Sequence, residues 1–316
     1  MRRGDEDVPK LTLVQQRRID AAAAIAATAP EQITYQHTVL CQTSLPYRNP
    51  GDNVREWERK QGNIFLKISA GEVLNPKQRK FVKLGLPYGS RPRLITAYVN
   101  ATAIKTASPK IGVGDSLTAF VKRLLDYRRS TPDGREVKRF KEQLSRLSAS
   151  NIRMAMAFGD EAAYQVDTKI IDVMDLWLEK DERQRVLWPC TVELSPRYFE
   201  SLTKHAVPLD ERAIAALANS PLALDVYSWL AQRLHRIERG KVQRLSWQTL
   251  YEQFGQGYGQ RRDFRRSFLA VLHEVHLQYR DAKVAADQEG MELRYSPPPV
   301  LKRLLVLPGS RADGAA

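Results

Sequence analysis

GQRRDFRRSFLAVLHEV, residues 259–275, decides how this chain is read. Arg261, Arg262, Arg265 and Arg266 stand at the front of a stretch whose large apolar residues recur at helical spacing. On a wheel of about 100° per residue, Phe264, Phe268, Val271, Leu272 and Val275 share one apolar stripe. Arg262, Arg266 and His273 fall opposite, Arg265 lies beside them, and Leu269 shares the exposed side. A helix with an apolar back and a cationic front is ordinary on a protein surface, so its neighbours decide what it means.

Just upstream, SWQTLYEQFG (246–255) reads as a short helix whose Ser246 caps a free backbone N–H, and GQGYG (255–259) reads as a turn. Downstream, AKVAADQEGMELRYS (282–296) reads as two extended runs around Asp287–Gly290. Short helix, turn, basic helix and hairpin is the order of a winged-helix domain.

A similar order occurs about 125–130 residues earlier. SLTAFVKRLL (116–125) answers the Ser-capped helix, DYRRSTPDG (126–134) the turn, and REVKRFKEQLSRL (135–147) the basic helix. There Val137, Phe140, Leu144 and Leu147 form the stripe, with Arg135, Arg139 and Arg146 opposite and Glu142 between them. NIRMAMAFGDEAAYQV (151–166) reads as the matching hairpin around Gly159–Asp160. Further upstream, the strand NIFLKIS (63–69) leads to the apolar helix of 84–104, as the strand CTVELS (190–195) leads to that of 208–234. Pro92 and Pro221 open the two apolar helices, with Tyr98 and Tyr227 in step.

The expected fold is therefore α+β, two tandem winged-helix domains forming a pseudo-repeat. Residues 1–44 read as an N-terminal arm with one helix ended at Pro30, 45–178 and 179–307 as the two domains, and 308–316 as a loose tail. The linker is expected near EKDERQRVLWP (179–189).

Composition agrees with a polyanionic partner. The chain has 316 residues and a net charge of +14, with 50 basic against 36 acidic side chains. The excess lies in the body: 45–178 hold 24 basic and 14 acidic side chains, 179–316 hold 21 and 17, and 1–44 are balanced. Cys41 and Cys190, far apart, suit neither a disulfide scaffold nor a zinc site, and point to a reducing cytoplasm. No apolar run approaches the roughly 20 residues of a membrane span.

Catalytic patterns are not found. His273 and His276 lack the i, i+4 spacing of a zinc protease, and GVGDS (112–116) lacks the lysine end of a phosphate loop. The expectation is no enzyme, no metal and no cofactor. The five tryptophans read as core or interdomain anchors.

The candidate contacts divide by chemistry. A major groove admits one helix, and an arginine fork can meet both acceptors of a guanine edge. Arginines at a helix start, and hairpin cations such as Arg153, Lys283 and Arg294, are placed for phosphates, which fix register.

GLPYG (85–89), RPRL (91–94), SPKIGVGDSLTAF (108–120) and the L-x-R-L run at 144–147 resemble the RepA family of bacterial plasmid replication initiators. The resemblance covers roughly residues 45–300. It implies a cytoplasmic bacterial protein that binds repeated double-stranded sites (iterons) at a plasmid origin, helps open the duplex and recruits a host replication initiator and helicase. Two winged-helix domains, a monomer–dimer equilibrium, repression of its own promoter and a part in copy control go with it. By position, Arg262, Arg265 and Arg266 would be primary contacts and Arg135, Lys138 and Arg139 secondary. The alternative reading is a repressor or adaptor with no role in origin opening.

Overall fold

Thr12 opens helix α1 (Leu13–Ala27) through a reciprocal cap: its hydroxyl accepts the Gln15 N–H at 3.2 Å, and the Gln15 side-chain oxygen accepts the Thr12 N–H at 2.9 Å. The helix ends three residues before Pro30, as the alanine run predicts. The computed structural model describes residues 11–75, 78–112, 121–122, 133–174 and 191–301. The expected linker (179–189) and tail (308–316), Cys190, and most of the 116–125 helix lie outside the described residues.

Strand β1 (Ile33–His37) and helix α2 (Thr38–Gln42) follow, and they correct the expectation of an arm reaching to residue 44. Val39 and Cys41 are buried in the core, and α1 itself is docked on the body, with Arg18 paired to Glu274 and Gln278 donating to the Arg18 carbonyl at 2.9 Å. Next come β2 (Glu56–Gln61), β3 (Ile64–Ser69), β4 (Glu72–Asn75), β5 (Lys80–Lys83), α3 (Ser90–Thr106), β6 (Lys110–Gly112), α4 (Gly134–Ala149), β7 (Asn151–Phe158), β8 (Ala162–Thr168) and β9 (Ile171–Met174). The second half holds β10 (Thr191–Leu194), α5 (Pro196–His205), β11 (Ala206–Asp210), α6 (Glu211–Leu217), α7 (Pro221–Arg233), β12 (Val242–Ser246), α8 (Trp247–Phe254), α9 (Arg261–Gln278), β13 (Val284–Ala286) and β14 (Gly290–Arg294).

The second half folds as its local signals direct. Ser246 caps α8, accepting the Thr249 N–H at 3.1 Å. Phe264, Phe268, Leu272 and Val275 are buried on the inner side of α9, with Val271 at the edge of the core. They stack with Trp247, Tyr251, Phe254 and Tyr258 as edge-on or tilted aromatic pairs, which fixes α8 against α9. β13 and β14 form the hairpin, and β12 closes it on the other side in the order β12–β14–β13.

The first half departs from expectation at its hairpin. The 151–166 hairpin exists as β7 and β8, but the outer edge of β7 is paired with β3 from Ile64↔Met156 to Ser69↔Asn151. The resulting sheet, β2–β3–β7–β8, buries Leu66, Ile68, Ile152 and Met154 on one face. The three-stranded sheet with the order of the second half is instead β6–β10–β9. So β10, read as the start of the second domain, is hydrogen-bonded into the first, and it is not the equivalent of β3. Its inward Val192 and Leu194 are fully buried there.

A second link crosses the repeat. β1 and β11 pair antiparallel, centred on Tyr35↔Pro208, and each is followed by a short helix, α2 or α6. The long apolar helices α3 and α7 pack together, and one buried cluster runs without a break from Leu94 and Val99 through Tyr227 and Trp229 to Phe268 and Leu293. Across it, Arg93 of the RPRL run meets Asp225 in a two-point ion pair, Nε to Oδ1 and Nη2 to Oδ2, each 2.7 Å. The guanidinium also donates to the Gly89 and Leu45 carbonyls at 2.6 and 2.8 Å. The structure is one mixed helix-and-strand body.

Candidate nucleic-acid interface

Helix α9 has 18 residues, and its cap residue Gln260 makes no side-chain hydrogen bond to the first turn. The leading N–H groups thus add the helix's positive end to the charge of Arg261 and Arg262, both exposed. Arg266 is 83% exposed one turn later, with Asp263 3.7 Å away at i, i+3. His273 is exposed further along, and Leu269 lies open beside Arg266.

Arg265 behaves differently. Its guanidinium lies 5.1 Å from the Trp247 ring centre and donates to the Asp287 carbonyl at 3.0 Å. It ties α9 to α8 and to the β13–β14 turn, and orients the arginines on either side of it. The turn is held in place: Asp287 accepts the N–H groups of Glu289 and Gly290 at 2.8 and 2.9 Å, which lowers its pKa.

Lys283 is exposed at the start of β13, and Arg294 at the end of β14. Sequence reading missed Arg244, exposed on β12. It donates to Glu292 at 3.0 Å, and Glu292 accepts from Arg294 at 3.1 Å as well. Hydrogen bonds from these two arginines, Arg244 first, hold the Glu292 carboxyl below the usual range. The signal for Arg244 was the alternation in KVQRLS, which marks a strand beside the hairpin.

In the first half, Arg135, Lys138 and Arg139 are exposed on α4, Arg135 and Arg139 as the wheel predicts. The electrostatics differ from those of α9. Asp133 caps α4 by accepting the Glu136 N–H at 2.7 Å, and Glu136 itself takes both arms of Arg91 at 2.9 and 2.7 Å. Arg139 lies 3.7 Å from the same carboxylate. Two acids at its start make the front of α4 a weaker anion attractor than that of α9.

Arg146 is corrected outright. The wheel turns it outward, but its side chain is only 9% exposed. Segment 85–88 crosses the last turns of α4, and the guanidinium lies under it, 5.3 Å from the Tyr88 ring centre. It donates to the Leu86 carbonyl at 3.3 Å and to Asp52 at 3.1 Å, with Glu142 3.0 Å away. Gly85 permits this, because a Cβ there would stand 2.2 Å from the Arg146 guanidinium. Arg146 is a structural anchor, and a wheel cannot see the segment that covers it.

Arg153 is exposed, but on the outer face of the four-stranded sheet, paired with Asp167 across the β7–β8 hairpin. That hairpin is not part of the β6–β10–β9 sheet, so Arg153 is no counterpart of Lys283 or Arg294. Among the described residues no group of three or more His, Cys, Asp or Glu side chains is placed to hold a metal ion, and no helix is long and apolar enough to cross a membrane.

No curated protein matches the chain. Two crystal structures of domains 2 and 3 of RctB are similar to it. One has 11% identity and a TM-score of 0.45, covering 88% of this chain and 98% of the other; the second has 9% and 0.43, covering 86% and 96%. A family model described as plasmid encoded RepA protein matches residues 86–249. That match includes GLPYG from Leu86 onward, RPRL with its buried Arg93, and the whole of α4 and α7. The chain belongs to the plasmid-encoded RepA family of replication initiators.

Proposed function

We propose that the chain initiates plasmid replication by binding repeated double-stranded sites at the origin, through two winged-helix units carried on one body. The second unit is β12, α8, α9 and the β13–β14 hairpin. The first is β6, α4 and the β9–β10 pair. Origin opening, recruitment of a host initiator and helicase, dimerisation and repression of its own gene belong to this reading. The chain acts in it as a non-enzymatic protein.

The observation that carries the reading is the front of α9. The helix start is uncapped and carries exposed Arg261 and Arg262; the 83%-exposed Arg266 follows one turn on, on the same side as Arg262, and Arg265 ties the helix to the turn of a hairpin with exposed Lys283 and Arg294. We assign Arg262 and Arg266 to base edges, Arg261, Lys283 and Arg294 to phosphates, and Arg265 to orienting the helix. His273 lies further along the same face. Arg135, Lys138 and Arg139 form a secondary contact, weakened by Asp133 and Glu136.

The test is fluorescence anisotropy on gene-flanking and random duplexes at several salt concentrations. Affinity for both falls steeply as salt rises, because counterions are released from phosphates. Arg266→Ala weakens the specific duplex roughly 5- to 150-fold more than the random one, from about 1–3 kcal/mol per base contact. Equal loss on both duplexes would reduce Arg266 to a phosphate contact. A repressor without an initiator role would leave a plasmid carrying its flanking DNA able to replicate without the gene.

A further inference from the structure

β4 and β5 form a two-stranded ribbon, joined to none of the other sheets. A hairpin alone is marginal in water, yet the base of this one is fixed. The Arg55 guanidinium donates to the carbonyls of Leu84, Ala70 and Gly71, the last two at 2.7 and 3.1 Å, and the Leu84 N–H donates to the Gly71 carbonyl at 3.0 Å. Gly71 passes so close to the end of α4 that a Cβ would stand 1.8 Å from the Ala149 carbonyl oxygen. The ribbon therefore springs from the C-terminal end of the first unit's basic helix as a pinned arm.

Its two faces differ. Val73 and Val82, opposite each other, are half-buried. On the other face Leu74 and Phe81 stand opposite each other, 50% and 68% exposed, the larger value being among the highest for an apolar side chain in the described residues. Lys83, opposite Glu72, shares that face, Arg79 stands at its turn end, and Lys80 lies at the ribbon's edge on the Val82 face; all three cations are exposed. Arg79 closes the turn at φ 49°, in the left-handed region, although the residue is not glycine. An exposed apolar pair on a narrow ribbon that carries three cations suits a polyanion with an apolar groove floor, which is duplex DNA; protein partners of such a charge would have to be acidic.

We propose that the β4–β5 ribbon is a separate DNA contact, lying in a groove next to the α4 site. Arg79, Lys80 and Lys83 take phosphates, and Leu74 and Phe81 press on the sugar edges. This rests on the reading that the chain binds duplex DNA.

The test uses the full chain and a random-sequence duplex of about four helical turns, by anisotropy over a salt series. The triple variant Arg79→Gly, Lys80→Ala, Lys83→Ala lowers the slope of log affinity against log salt by about 2–3, near 0.9 per phosphate lost. Glycine is chosen at 79 because it keeps the turn. Leu74→Ser with Phe81→Ser lowers affinity about tenfold with the slope unchanged, because no charge is removed. Both side chains are exposed, and unchanged melting curves exclude misfolding. If both variants bind as wild type while Arg261→Ala, which removes a proposed phosphate contact, binds more weakly, the ribbon proposal fails and the DNA reading stands. If the wild-type chain does not bind duplex DNA, both fall. If the apolar variant binds DNA normally but loses self-association in sedimentation, the ribbon face takes a second copy of this chain instead.

Discussion

Replacing Arg93 by methionine should destabilise the whole body, because the Arg93–Asp225 pair joins its two halves. The side chains are 6% and 8% exposed, so the carboxylate left behind would be buried without a cation. Breaking such a pair from one side costs about 3–5 kcal/mol. The guanidinium also serves the Gly89 and Leu45 carbonyls, whose loss adds about 1–2 kcal/mol of unsatisfied acceptor. Asp225→Leu leaves Arg93 with those two carbonyls and should cost less, about 2–3 kcal/mol. The double variant keeps only the carbonyl loss, so it should be more stable than Arg93→Met alone. The double variant should recover at least about 2 kcal/mol of the Arg93→Met deficit.

The pH dependence follows from the sign of the shift. Burial raises the Asp225 pKa, and Arg93 opposes that. Without Arg93 the folded value rises further above the unfolded one. The neutral carboxyl is then the form the fold tolerates, so the Arg93→Met deficit is smallest below the unfolded pKa and grows as pH rises towards the folded value. Urea denaturation of the two single variants and the double variant at several pH values reads all of this. A single variant within about 1 kcal/mol of wild type, or a double variant no better than the sum of the singles, would refute the latch.

Two further outcomes test other parts of the structure. Gly290→Ala places a Cβ 1.9 Å from the Leu245 carbonyl oxygen, so β12 and β14 must separate; we expect about 1–3 kcal/mol of lost stability and faster hydrogen exchange in the hairpin, with α9 amides still protected. His37 is buried, accepts the Val39 N–H at 3.2 Å through Nδ1, and lies 3.0 Å from the Ser201 hydroxyl. Burial first, and the nearby His205 second, bring its pKa down to about 3. Its contribution is complete above the unfolded value of about 6.5 and is lost as pH falls towards 3, at up to about 1.4 kcal/mol per pH unit. His37→Gln should remove one proton from that slope, seen as a flatter stability curve between those limits; an unchanged curve would mean that His37 is already solvated.

Local signals were legible in the sequence. Thr12 and Ser246 cap where their hydroxyls predict, the stripes of α4 and α9 face inward, and the RepA resemblance follows from short runs such as GLPYG and RPRL. Pairing over distance was not. Nothing in NIRMAMAF distinguishes a strand that pairs with β3, some 85 residues earlier, from one that pairs with β6, because both partners are short and apolar. Arg146 read as exposed because a wheel knows only its own helix, whereas burial depends on segment 85–88 crossing it. Arg93 lies inside the motif that identified the family, but its partner stands 132 residues away. The wheel gave Arg265 the same face as its neighbours; its carbonyl bond to Asp287 sets it apart.

On the proposed reading α9 reads sequence in duplex DNA, and α4 of the same body is a second, weaker reading helix. Selection of binding sites by the full chain from a randomised duplex library tests it most directly. A sequence-reading α9 yields one enriched motif, guanine-bearing where Arg262 and Arg266 reach, with Arg266→Ala flattening preference at that position and Arg135→Ala leaving the core motif intact. A library that returns no motif, or a motif unchanged by Arg266→Ala, would contradict it.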